Sequence, residues 1–397
     1  MSNVPKLRFR EFSGEWEEKK LTEVIDFKSG YAFSSSTMSN TVEPYQLIKM
    51  SNIYQNVLSL DRSPSYWKNI TEAQKDFLLE KGDIVLTLTG TVGKRDYGYS
   101  AVIPKNDKYL LNQRLVRLRA ITHTSLSAFI HNLVLTERFL YHFFSNSKGG
   151  TGNQSNVSIE DLKNIRLPFP SKQEQEKIAS FLTSVDTKIE QLAKKEKLLG
   201  QYKKGVMQKI FNQEIRFKAD DGSEFPEWEE KKLSSLCNIQ KGSQLNKDTL
   251  TETGNHPAIN GGINPSGYTS EYNTEANTIT ISEGGNSCGY VNFITTKFWS
   301  GGHNYSLQDL KTNIENKYLF QYLKHNENSI MRLRVGSGLP NIQKNEINNF
   351  KISVPCLEEQ TKIANFLSSI DTKTRQVQNQ LKQTKAFKKA LLQQMFV

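Results

Sequence analysis

The sequence predicts an α+β protein: two mixed α/β domains separated by two long antiparallel coiled-coil helices, one half repeating the other about a pseudo-two-fold. Three observations predict it. Glu15-Trp16-Glu17-Glu18-Lys19-Lys20-Leu21 recurs as Glu227-Trp228-Glu229-Glu230-Lys231-Lys232-Leu233, at an offset of 212. Residues 162–211 align without a gap on 347–396, at an offset of 185, with 19 identities in 50. Both of these trailing segments carry apolar residues at 4-3 spacing. The offsets differ by 27, so the first half holds 27 more residues between its shared segments. The halves therefore share a frame at their edges and differ in what lies within it.

The elements follow in chain order. Residues 1–170 form the first mixed domain, 171–211 the first long helix, 212–355 the second domain and 356–397 the second long helix. Asp83–Leu88, Arg114–Leu118, Thr278–Ile281 and Lys351–Val354 are β-rich runs bounded by Gly, Asn and Pro. Ala128–Phe144 and Lys317–Arg334 have helical spacing. Pro168 and Pro170 end an extended stretch, and Ser171-Lys172-Gln173-Glu174 has the spacing of a capping box. From there Ile178, Leu182, Val185, Ile189, Leu192, Leu199, Val206 and Ile210 form a seam interrupted by Glu196 and Lys203. Its counterpart carries Ile363, Leu367, Ile370, Val377, Leu381, Leu391 and Met395, with Thr374, Thr384 and Lys388 between. About 40 residues at 1.5 Å each make a rod of roughly 60 Å, and two such rods most simply pack on each other. Gly200 and Gly205 mark a weak or bent stretch of the first.

A chain of 397 residues fits two or three domains, and 36% apolar with 23% charged residues fits globular folding. Mean hydropathy is −0.58. No apolar run nears the roughly 18 residues that cross a bilayer, so a soluble chain with no membrane partner is expected. The amino terminus lacks the apolar stretch and cleavage site of a secretory signal, which places the chain in the cytoplasm. Cys237, Cys288 and Cys356 are too few and scattered for disulfides or a metal site. The net charge of +11 suits a polyanion such as nucleic acid. Residues 171–211 and 356–397 each carry +4 of it, so the rods hold most of the excess, facing either phosphates or acidic partner surfaces. Lysine-rich rods attract a nucleic-acid backbone, whereas specificity needs Arg, Asn, Gln and Thr in the inserts.

Several insert loops have the small and polar residues of a contact surface. Thr89, Gly90, Thr91, Lys94 and Arg95, with Tyr97 beyond, follow a strand. The loop fails as a Walker motif, having Leu88 for the first Gly and Arg95 for the Ser or Thr after Lys94. Its alternatives are a glycine hairpin or a loop touching phosphates and base edges. Gln113 and Arg114 form a second candidate, and Asn153, Gln154 and Asn156 in the glycine loop 149–156 a third. In the second half the corresponding candidates are Gly261 and Gly262; Asn286, Ser287 and Tyr290; His303, Asn304 and Tyr305; and Asn341 in the loop 336–341. The loops 89–95 and 282–287 read as analogues. Catalytic signatures are missing: no His-Glu-x-x-His, no Gly-x-Ser-x-Gly, and no Asn- or Asp-Pro-Pro-Tyr, the nearest being Asn264-Pro265-Ser266-Gly267. The chain reads as non-catalytic and metal-free.

The order of these motifs resembles the specificity subunit of type I restriction-modification systems along almost the whole chain. The carriers are the paired Glu-Trp-Glu-Glu-Lys-Lys-Leu starts, Lys81-Gly82-Asp83-Ile84 leading to Gly90–Lys94, Leu111–Leu115, and Pro170–Ala179 with its echo Pro355–Ala364. Asn260–Ile263 with Gly267-Tyr268, Glu283–Asn286 and Phe298-Trp299 complete them. The resemblance implies two target-recognition domains reading a split double-stranded DNA target, one part each. It further implies recruitment of two methyltransferase subunits acting on adenine and of restriction/translocase subunits. It places no cofactor in this chain; S-adenosylmethionine, ATP and Mg²⁺ are expected on the partners. The second copy departs from the first in having Cys356 where Ser171 caps the helix, so that start is expected to be weaker. A self-contained DNA-modifying enzyme and a coiled-coil adaptor without nucleic acid are the alternatives.

Overall fold

The computed structural model describes residues 3–149, 153–336, 338 and 340–397; Met1, Ser2, Gly150, Thr151, Gly152, Ser337 and Leu339, with their share of the two glycine loops, lie outside the described residues. The chain divides into two compact units, Met1–Leu192 with Gln380–Val397, and Ala193–Asn379. The long helices run Lys172–Phe211 and Leu357–Met395, so each contributes to both units.

Within each unit the two repeated segments pair with each other. In the first unit Glu17–Lys20 pairs antiparallel with Arg166–Phe169, Glu17 opposite Phe169. In the second, Glu229–Lys232 pairs with Lys351–Val354, Glu229 opposite Val354. The registers are equivalent, so the 27 extra residues are looped out between the paired strands and do not disturb the frame.

Inside the frame both units repeat one topology. The first has a four-stranded antiparallel sheet ordered Ser100–Val102, Ile84–Thr87, Leu115–Ala120, Ile25–Ser29. The second orders Val291–Ile294, Thr278–Ser282, Asn304–Gln308, Asn238–Lys241 in the same way. A smaller sheet in each is built on one parallel pair, Tyr45–Ile48 with Tyr109–Leu111 and His256–Ile259 with Trp299–Ser300. Each predicted insert helix is broken in two. The first becomes Ser127–Val134 and Glu137–Ser145, because the Thr136 hydroxyl accepts from Phe139 N–H and starts a new helix. The second becomes Asn316–His325 and Glu327–Met331.

Within each unit the long-helix segments pack antiparallel. Lys388 Nζ meets Asp186 at 2.6 Å in the first unit. In the second, Lys203 Nζ meets Asp371 at 2.7 Å and Gln378 Nε2 donates to Glu196 at 2.8 Å. The polar seam interruptions Lys388, Lys203 and Glu196 thus each meet a polar side chain of the opposing helix segment. Ser171 Oγ accepts from Glu174 N–H at 3.3 Å, but the capping box is only half made, since the Glu174 carboxylate turns to Arg8. Gly200 and Gly205 lie in an unbroken helix with nothing within 4 Å of a built Cβ. Replacing either by Ala should therefore stabilise by about 0.4–1 kcal/mol, seen as a raised melting temperature.

Beside the Asp186–Lys388 pair, His131 has a buried Nε2 with no hydrogen-bond partner among the described residues. Burial, reinforced by Lys388, pushes its pKa down to about 4. Between that value and the ordinary 6.5 the unfolded chain takes up the proton and the folded one does not. Stability carried by neutral His131 is therefore intact above pH 6.5 and lost as pH falls towards 4, by up to about 3 kcal/mol. The His131→Gln variant should flatten that part of the stability–pH curve, measured by urea unfolding. Among the described residues, no helix is long and apolar enough to cross a membrane.

Candidate nucleic-acid interface

Loops far apart in sequence are gathered by the sheet edges. In the first unit Thr89–Thr91 pairs with Gln154–Asn156, which pairs in turn with Lys148–Gly149. The Thr89 hydroxyl donates to Asn156 Oδ1 at 3.2 Å. Beside this ribbon the turn carrying Gln113 and Arg114 closes back on Gly30, whose missing Cβ would lie 1.9 Å from Asn112 O. Arg114 itself is exposed with φ +67, a left-handed value uncommon for any residue other than glycine. Thr89, Gln113, Arg114, Gln154 and Asn156 thereby line one open cleft of about 430 Å³, with Ser29 and Ser158, which sequence reasoning did not single out.

Lys94 and Arg95 lie on an adjoining exposed turn. The Arg95 guanidinium sits 3.2 Å from Glu137 and over the Phe144 ring, so only Lys94 is left without a described ion-pair partner there. Asp96 takes hydrogen bonds from the Thr91 hydroxyl and amide, which hold its carboxyl below the usual range and keep the turn closed. Asn153 is exposed and uses its carbonyl to accept from Val92 N–H.

The second unit reproduces the backbone bonds that anchor these loops, although its own loop forms a 3-10 turn at Gly285–Ser287 where the first has a strand. Leu88 N–H donates to Arg114 O at 3.1 Å, and Glu283 N–H to His303 O at 3.0 Å. Val157 N–H donates to Leu88 O at 3.0 Å, and Ile342 N–H to Glu283 O at 2.8 Å. Gly242 approaches Gly301 O as Gly30 approaches Asn112 O. Loops 89–95 and 282–287 therefore leave equivalent strands, Arg114 corresponds to His303, and Asn156 to Asn341. Asn286 and His303 are exposed, while Gly262, Ser287, Tyr290 and Asn341 are half-buried.

Four residues read as contacts are corrected by burial. Tyr97 is 2% exposed, with its hydroxyl 3.2 Å from Ser155 Oγ, and belongs to the core. Asn304 and Tyr305 are 1% and 2% exposed: the strand that carries them is covered on both faces, so alternation exposes neither. Gly261 is buried and serves as a seat, its carbonyl accepting from the Ser282 and Ser287 hydroxyls at 2.5 Å. Ser287 thus has its hydroxyl engaged, and Tyr290 has its ring beneath Lys324 Nζ at 4.0 Å.

The family model of the type I restriction modification DNA specificity domain matches residues 13–199 and again 226–384. The chain belongs to that family. A Mycoplasma pneumoniae protein bearing a type I specificity-subunit name is 36% identical over 146 residues, 36% of this chain and 39% of that one. The match thus spans about two fifths of that relative's length. A Methanocaldococcus jannaschii protein bearing the name of the MjaX restriction-enzyme specificity subunit is 23% identical over 390 residues, 93% of this chain and 90% of its own. The crystal structure of a type I restriction-modification S subunit from M. genitalium shares the fold, with a TM-score of 0.68 at 20% identity over 99% of both chains.

Proposed function

We propose that this chain is the DNA-reading, non-catalytic subunit of a cytoplasmic type I restriction-modification assembly, each unit reading one half of a bipartite target. It recruits methyltransferase subunits that modify adenine with S-adenosylmethionine, and restriction/translocase subunits that use ATP and Mg²⁺. The observation that carries this reading is one backbone scaffold presenting different exposed side chains at equivalent positions, Arg114 in the first unit against His303 in the second. Constant frame with variable, groove-facing polar groups is what direct base readout in two half-sites requires.

The test is to map methylated adenines in a genome given only this chain and its methyltransferase partner. One bipartite motif is the expected result; no motif, or methylation by the purified chain alone, overturns the reading. The Arg114→Ala variant should lose about 1–3 kcal/mol of discrimination, about 5- to 150-fold, at one base pair of one half-site. The other half-site should be read unchanged.

A further inference from the structure

The second unit holds a buried ionic network where the first is apolar or small. Ser29, Leu88 and Val116 of the first unit correspond, by strand register, to Lys241, Glu283 and Tyr305 of the second. Since Leu88 fills the position in the first unit, the scaffold does not need a carboxylate there. A buried carboxylate is costly unless paired. Glu283 is 4% exposed, and its Oε1 accepts from Lys241 Nζ at 2.6 Å and from the Tyr305 hydroxyl at 3.1 Å. Its Oε2 is buried with no hydrogen-bond partner among the described residues. His303 Nδ1 stands 3.7 Å from that oxygen, and the His303 side chain is 63% exposed at the loop. The His303 peptide is already fixed, its N–H donating to Asn260 Oδ1 at 3.2 Å and its carbonyl accepting from Glu283 N–H. The imidazole therefore stands just beyond hydrogen-bond distance of the free oxygen.

We infer that Glu283 is a positioning residue for base reading: its Oε2 takes the Nδ1–H of His303, which leaves Nε2 facing outward as a hydrogen-bond acceptor for the exocyclic amine of an adenine or cytosine. The partner of one ring nitrogen sets the role of the other. Amines at adenine N6 and cytosine N4 are the major-groove donors, whereas guanine O6 and thymine O4 accept. Arg114, the counterpart of His303, is a donor in every state and has no need of such a partner. The inference deepens the DNA-reading proposal and rests on it.

The Glu283→Gln variant makes the test sharp. Its amide oxygen takes the Lys241 and Tyr305 donors, so its NH₂ faces Nδ1, moves the imidazole proton to Nε2 and turns the acceptor into a donor. In the complete complex with its methyltransferase subunits, methylation is measured on duplexes substituted one base pair at a time. E283Q should exchange the preferred base at one position of the second half-site, from an amine-bearing to a carbonyl-bearing base on the contacted strand. H303A, at an exposed residue, should relax that same position about 10-fold or more, and the double variant should match H303A. The first half-site stays unaffected. An even loss across all duplexes with E283Q, an unchanged base preference with E283Q, or intact discrimination with H303A overturns the inference. Failure of the underlying proposal looks different: the wild-type complex then shows no bipartite preference at all.

Discussion

Replacing Glu174 by Ala should destabilise the first unit by about 3–5 kcal/mol, the cost of leaving a buried charge without its partner. Arg8 holds both carboxylate oxygens of Glu174 at 2.8 Å, and also donates to the carbonyls of Ser13 and Gly14. The side chains are 13% and 2% exposed, so solvent cannot replace the lost pairing. One bidentate pair therefore ties the segment before the frame strand to the first turn of the long helix. The second unit repeats it: Arg216 Nη2 reaches Glu359 at 2.9 Å and the carbonyls of Phe225 and Pro226, and Trp228 Nε1 donates to the same carboxylate at 3.0 Å. Glu359→Ala should act likewise on that unit. Hydrogen exchange at 17–20 and 229–232 distinguishes the two, each variant loosening only its own frame strand. Restoring neutrality with Arg8→Met in the Glu174→Leu background should recover most of the loss, because an apolar pair of similar volume replaces a buried ionic one with little cost. No recovery would show that the lock acts through its carbonyl contacts instead.

Those locks show where sequence reading stops. The edges of the frame and both long helices were legible, since a repeated heptapeptide, proline boundaries and 4-3 spacing are local signals, but that the heptapeptide forms a strand was not. Arg8 and Arg216 were not, because they lie at an offset of 208, outside either gapless repeat. The contact loops were legible as loops, yet their assembly was not. Nothing local in Thr89–Thr91 states that it pairs with Gln154–Asn156, a long-range register set by the sheet. Tyr97, Asn304 and Tyr305 were misread for a related reason: polar or aromatic type near glycine predicts exposure only where one face of a strand meets water. Glu283 was quoted as part of a motif, but its buried role appears only when the two units are compared position by position.

Phe396→Ala should cost the first unit about 3–5 kcal/mol, the usual range for emptying a buried phenyl site. Phe396 is 7% exposed, its ring centroid 6.2 Å from that of Trp16 and 5.3 Å from that of Phe129. Leu391 and Met395 belong to the same core, at 4% and 2% exposure. The core around the first frame tryptophan is thus completed by the end of the second long helix, some 380 residues away in the chain. The second unit does the same with the end of the first helix: Met207 and Ile210 are buried, and Phe211 packs on Tyr318, Tyr322 and His325. Phe211 is only half-buried, so Phe211→Ala should cost less. A fragment of residues 1–192 should consequently fail to unfold cooperatively, since its core exposes Trp16 and Phe129. Adding a peptide of residues 380–397 should restore a sharp transition, followed by the fluorescence of Trp16 in a fragment carrying Trp67→Phe. A cooperative fragment without the peptide would mean that the helix end decorates the core and does not complete it.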